Sequence, residues 1–121
     1  INVPVYIWRT NQVLITLRAK DFAFVLEESL SHIFQIIHAN RLRVSLIQSS
    51  AVTISVCVDN SRFVARAIEQ LQDAYRVTWN ENLSLLTIRG TTPNILKQEQ
   101  QGRDILLSQL TRRTAKLVIK D

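Results

Sequence analysis

The sequence predicts an α+β fold built on a ferredoxin-like βαββαβ unit. Three observations carry this. Several short stretches alternate apolar and polar residues with a period of two. Two longer stretches place apolar residues at helical spacing. Their order from Val13 to Trp79 is strand, helix, strand, strand, helix, strand, the split βαβ arrangement. The chain has 121 residues, enough for one ordinary domain or two very small interlocked ones, and its 46% apolar content favours a packed core over disorder.

Val3 to Trp8 reads as a first strand, with Pro4 suggesting an edge. Asn11-Gln12 interrupts it, and Val13 to Leu17 forms a second short strand. A helix follows, in which Leu26, Leu30, Ile33, Phe34 and Ile37 compose one apolar face, with Glu27 and Glu28 near its positive end. Asn40 is the expected left-handed stop. Val44 to Ile47 and Val52 to Val58 are strands joined by a Gln48–Ala51 turn. Ser61 is placed to cap a second helix whose buried stripe is Val64, Ala67, Ile68 and Leu71. Tyr75 to Trp79 alternates again.

Beyond a turn at Asn80-Glu81-Asn82, Leu83 to Arg89 is a strand. Thr92-Pro93 has the signature of a helix start, and the spacing predicts a helix over Asn94 to Leu110. Ala115, Leu117 and Ile119 alternate in a last strand. The tail thus leaves a β-α-β piece without a partner, and residues 3–8 are a strand without one. The economical solution pairs the two in a second sheet, with the complete unit inserted between them.

Composition narrows function. No apolar run approaches the roughly 18 residues of a membrane span, and residue 1 is not followed by a signal-peptide pattern, so a soluble domain is expected. Cys57 is the single cysteine, which rules out an internal disulfide and paired-cysteine zinc spacing. Net charge is +5, but the basic residues are spread along the sequence, as a solvated surface also requires. An RNA-binding domain of the same strand order needs stacking aromatics on its third strand; Val52 to Val58 has no aromatic and no glycine, so no nucleic-acid partner is expected. Catalytic groupings are missing. Gly90 and Gly102 belong to no phosphate loop, His32 and His38 lie six apart on one helix, Glu27 and Glu28 diverge, and Cys57 stands mid-strand. No catalytic residue and no metal site is expected in this chain.

Two stretches, Lys20-Asp21-Phe22-Ala23-Phe24-Val25-Leu26-Glu27-Glu28 and Val44 through Asp59, resemble the first ACT unit of aspartate kinases, and Asn80 to Arg89 is similar to its junction with a second. The resemblance implies an ACT unit at residues 13–80 inserted into a second, truncated ACT-like unit formed by 1–12 and 81–121. It further implies an amino-acid-sensing regulatory region of a cytoplasmic enzyme that phosphorylates the side-chain carboxylate of aspartate, opening the route to lysine, threonine and methionine. The kinase domain, with its ATP and magnesium, is expected before residue 1; no cofactor is expected here. Expected partners are lysine or threonine as effector, a second copy joined through ACT units, and that kinase domain. A stand-alone dimerising module without ligand is the alternative.

The family's effector site uses the loop after the first strand and the end of the second. Asp21 matches the aspartate of the loop Asp-x-Pro-Gly, with Phe22 beside it and Ala23-Phe24 in place of Pro-Gly. Gln48 matches a glutamine that contacts the effector in relatives, and Ser49 and Ser50 stand where small polar residues occur. Ser45 occupies the position of an aspartate that pairs with the ligand's ammonium in a lysine-inhibited relative, which weakens the case for lysine. The effector set is therefore Asp21, Phe22, Ala23, Phe24, Ser45, Gln48, Ser49 and Ser50. A plainer reading makes Asp21 a helix cap and Gln48 to Ser50 turn residues.

Overall fold

The computed structural model describes residues 3–20 and 26–121 and divides the chain into two compact units, Val13–Glu81 and Ile1–Gln12 with Asn82–Asp121. The first contains the second half of β1 (Val5–Ala19), α1 (Leu26–Ala39), β2 (Val44–Ser49), β3 (Thr53–Asp59), α2 (Val64–Gln72) and the first half of β4 (Tyr75–Arg89). Its strand order is β2-β3-β1-β4. β2 and β3 run antiparallel, with Gln48 opposite Ser55 and Ser49 opposite Ile54. Period-two alternation sends Val13, Ile15 and Leu17 of β1 and Ile54, Val56 and Val58 of β3 into one core. Against them pack Ile33 and Ile37 of α1 and the predicted α2 stripe, Val64, Ala67, Ile68 and Leu71.

The face of α1 differs from expectation. Ser29, Ile33 and Ile37 are buried, with Leu30 and Ile36 packed beside them, whereas Leu26 and Phe34 are exposed. Ser29 fits the buried stripe because it is small, and Ile36 takes the flank assigned to Phe34. Asn40 is not the left-handed stop either. Its Nδ2 donates to Ile36 O and Gln70 Oε1, both at 2.8 Å, tying the end of α1 to α2, and Arg41 takes the positive φ of 57°. Ser61 serves α2 from one turn earlier: its Oγ accepts from the Phe63 N–H at 3.3 Å, and Phe63 is the N-cap.

The second unit contains the first half of β1, the second half of β4, α3 (Pro93–Gln100), β5 (Ile105–Thr111) and β6 (Thr114–Lys120). Strands follow β5-β6-β4-β1. Counted from β4, that is second, third, first, fourth, the same internal order as in the other unit. Leu86, Ile88, Ala115, Leu117 and Ile119 form its core, with Ile95 and Leu96 of α3 packed against them. Thr92 caps α3 as predicted, accepting from the Ile95 N–H at 3.3 Å with proline following. The long helix over 94–110 is not formed. Gly102, at φ 74°, ends the turn after α3, and Ile105, Leu107 and Leu110 belong to a strand that pairs with β6.

Neither Asn11-Gln12 nor Asn80–Asn82 breaks a strand: β1 and β4 are continuous through both. Asn11 and Asn82 adopt φ of 54° and 59°, so each strand absorbs one left-handed residue where asparagine tolerates it best. The two passages are related in sequence. Asn11-Gln-Val-Leu-Ile-Thr-Leu-Arg18 repeats as Asn82-Leu-Ser-Leu-Leu-Thr-Ile-Arg89. The hairpins repeat as well, with register shifts at Val44/Leu46 and at Ile105/Leu107 and a two-residue turn before Thr53 and before Thr114. In this register Gln48, Ser49 and Ser50 correspond to Gln109, Leu110 and Thr111.

Candidate functional site

The end of the β2–β3 hairpin gathers three of the predicted residues. Cross-strand pairing sets Gln48 directly opposite Ser55, so their side chains share one face of the sheet. A tight turn then closes the hairpin, with the Ser50 N–H donating to Thr53 O at 2.8 Å and the Ser50 Oγ approaching the same oxygen at 3.5 Å. Gln48, Ser49, Ser50, Thr53 and Ser55 line an open pocket of about 230 Å³. Every side chain in that lining is neutral and polar. It offers amide and hydroxyl groups as both donors and acceptors, and no charge.

Thr53 and Ser55 were not anticipated. The signal that locates them is the hairpin register: once Gln48 is placed, the residue opposite it must share its face. Ser50 plays its plainer role too, because its backbone N–H is committed to Thr53 O and is not available to a ligand carboxylate. Ser45 does not line the pocket. It sits at the register shift of β2, and its Oγ donates to Asp59 Oδ1 at 3.5 Å, near the opposite end of the hairpin. Asp21, Phe22, Ala23 and Phe24 lie outside the described residues.

A larger opening of about 500 Å³ in the same unit takes in none of the predicted residues. Arg62, Glu69, Trp79 and Glu81 are among its lining residues, and the Arg62 guanidinium stacks 4.8 Å from the centre of the Phe63 ring. Its lining mixes both signs of charge. The hairpin pocket is the candidate carried forward because Gln48, Ser49 and Ser50 line it. Among the described residues no three His, Cys, Asp or Glu side chains cluster as metal ligands. His32 Nδ1 lies 3.1 Å from the Tyr75 hydroxyl, and Cys57 is buried in β3.

In the other unit a pocket of about 280 Å³ lies between α3 and the β5–β6 hairpin, lined by Thr91, Thr92, Pro93, Leu96, Lys97, Gln100, Leu110 and Arg112. No helix among the described residues is long and apolar enough to cross a membrane.

No family model and no curated protein matches the sequence. Solved structures match over nearly the whole chain. A Porphyromonas gingivalis W83 domain, assigned by inference as a C-terminal regulatory domain of aspartate kinase, superposes with a TM-score of 0.84 at 14% identity, covering 98% of this chain and 86% of that one. The regulatory subunit of aspartate kinase from Thermus flavus gives 0.71 at 14% identity, covering 95% and 86%. Escherichia coli aspartokinase III in complex with lysine and aspartate gives 0.75 at 17% identity, covering 95% of this chain but 29% of that enzyme. This chain therefore has the α+β fold of the regulatory domains of aspartate kinases, the fold that the resemblance implied.

Proposed function

We propose that the chain is the amino-acid-sensing regulatory region of an aspartate kinase and that its effector pocket is the one at the end of the β2–β3 hairpin. The observation that carries this reading is the coincidence of a whole-chain fold match with a polar pocket on Gln48, Ser49 and Ser50, the residues singled out beforehand. The catalytic domain, with its ATP and magnesium, belongs to the same cytoplasmic polypeptide in this reading, and the chain itself performs no chemistry. Aspartokinase III of E. coli has been crystallised with lysine and aspartate and with aspartate and ADP, which supports effector control on this fold.

The lining favours a small hydroxyl-bearing effector such as threonine over lysine. A lysine side chain brings a second ammonium that needs an anionic partner, and none of Gln48, Ser49, Ser50, Thr53 and Ser55 supplies one. Regulation follows from differential affinity. The effector binds one arrangement of paired regulatory units better than another, and the attached kinase feels that bias. A homodimer joined through these units, with β2 near the seam, completes the proposal. Titration calorimetry of the 121-residue chain with threonine, lysine and methionine tests it. Threonine should release heat, and Gln48→Ala should remove that heat while leaving the circular dichroism spectrum intact. Silence from all three would favour the ligand-free dimerisation module.

A further inference from the structure

The chain's net charge is not shared between its two units. Residues 1–12 and 82–121 hold eight Lys and Arg against three Asp and Glu, whereas residues 13–81 hold seven of each. The three acids of the basic unit are Glu99, Asp104 and Asp121. Glu99 is engaged by Arg103 at 3.4 Å, Asp121 accepts from the Ser84 hydroxyl at 2.7 Å, and none of the three lines the 280 Å³ pocket. Two cations do, Lys97 from α3 and Arg112 from the tip of the β5–β6 hairpin. Leu96 and Leu110 add apolar side chains to the same lining, the latter 59% exposed although it sits in a strand.

The internal repeat aligns the two hairpins. Leu110 corresponds to Ser49, and Arg112 to Ala51 in the opposite turn. Counting on from the repeated arginines, Thr92 corresponds to Asp21. Of the residues lining the hairpin pocket, Ser49 alone has its counterpart here: Leu110 pairs with Ala115 on the face that α3 covers, whereas Gln48 and Ser55 lie on the face of their hairpin away from the core residue Ile54. The hairpin pocket is lined by neutral polar side chains; this one has a capping threonine, two leucines and two cations. An amino acid would set its ammonium against two cations here. The Thr92 Oγ accepts from the Ile95 N–H, and the charged groups of the lining are the two side-chain cations.

We propose that this pocket is a second binding site, selective for a small aliphatic carboxylate that carries no ammonium group. Lys97 and Arg112 would pair with the carboxylate, and Leu96 and Leu110 would cover a short branched tail. A volume of about 280 Å³ equals the liquid share of roughly nine waters, which suits a carboxylate of that size. The site stands or falls independently of the pocket at Gln48.

The test is an NMR titration of the uniformly ¹⁵N-labelled 121-residue chain with 4-methylvalerate, its neutral isostere 4-methylvaleramide, and leucine, which adds an ammonium to the same tail. The carboxylate should shift the amides of Thr91, Leu96, Lys97, Leu110 and Arg112, with saturation in the millimolar range. The amide and leucine should each bind at least roughly tenfold more weakly. Lys97→Gln and Arg112→Asn should each weaken the carboxylate several-fold; asparagine is chosen because position 112 has a φ of 53°. Gln48→Ala should leave this titration unchanged. Equal binding of carboxylate and amide, insensitivity to both substitutions, or no localised shifts at about 50 mM would each overturn the proposal.

Discussion

Replacing Ile33 by alanine should cost far more stability than replacing Phe34, its neighbour on α1. Ile33 is 0% exposed and packs within the core of the 13–81 unit. Its truncation to alanine removes three carbons, worth about 0.8 kcal/mol each in transfer free energy, or about 2.4 kcal/mol together. The void left inside a closed core raises the loss to about 3–4 kcal/mol. Phe34 is 41% exposed, so its truncation opens to water and leaves no cavity. Scaling the transfer value of a fully buried phenylalanine by the covered fraction predicts about 1–2 kcal/mol. Urea denaturation followed by far-ultraviolet circular dichroism measures both, and at a common slope the unfolding free energies should differ by at least about 1 kcal/mol, roughly a fivefold change in folding equilibrium. A loss for Phe34→Ala equal to or larger than that for Ile33→Ala would refute the assigned face and restore a stripe centred on Phe34.

Two further expectations follow from backbone geometry. Thr92→Ala should cost about 1 kcal/mol, because the Ile95 N–H loses its acceptor at the start of α3, and Thr92→Ser should restore most of it; equal stability of the two variants would discount the cap. Asn82→Gly should be tolerated, whereas Asn82→Ile forces a β-branched residue to a φ of 59° and should cost about 1–2 kcal/mol in thermal melts; a neutral isoleucine variant would remove the left-handed assignment.

How much of this was legible in the sequence depends on which signal each element obeyed. The 13–79 order of elements was readable because Val13, Ile15 and Leu17, then Ile54, Val56 and Val58, keep a clean period of two, and the α2 stripe keeps a clean helical one. Asn11 and Asn82 misled because asparagine marks turns and single left-handed strand residues alike. The repeated Asn-x-x-Leu-x-Thr-x-Arg passages distinguish the two cases, since a break inherited twice within equivalent apolar runs points to a shared strand feature. The tail failed for another reason. Ile95-Leu96 and Ile105-Leu106-Leu107 lie about ten residues apart, a spacing that suits one long helix as well as a helix and a strand, and Gly102 was the deciding residue. At the site, Gln48, Ser49 and Ser50 were found through resemblance, while Thr53 and Ser55 needed the hairpin register, which only the fold supplies.

The division of β1 and β4 between the two units orders events during synthesis. Residues 13–81 are contiguous and can close on themselves once Glu81 has left the ribosome. The other unit must wait, because its fourth strand is made first and that strand's neighbour in the unit, the second half of β4 ending at Arg89, comes only after the whole inserted unit. At about 5–20 residues per second, the nascent segment ending at Gln12 stays unmatched for roughly 4–15 s, until Arg89 is made. Throughout that interval Val5, Tyr6, Ile7 and Trp8 form an unpaired, β-prone, largely uncharged stretch, which is the kind that attracts other chains. A permuted gene that moves residues 1–12 behind Asp121 would make both units contiguous and should raise the yield of soluble chain at high expression temperature.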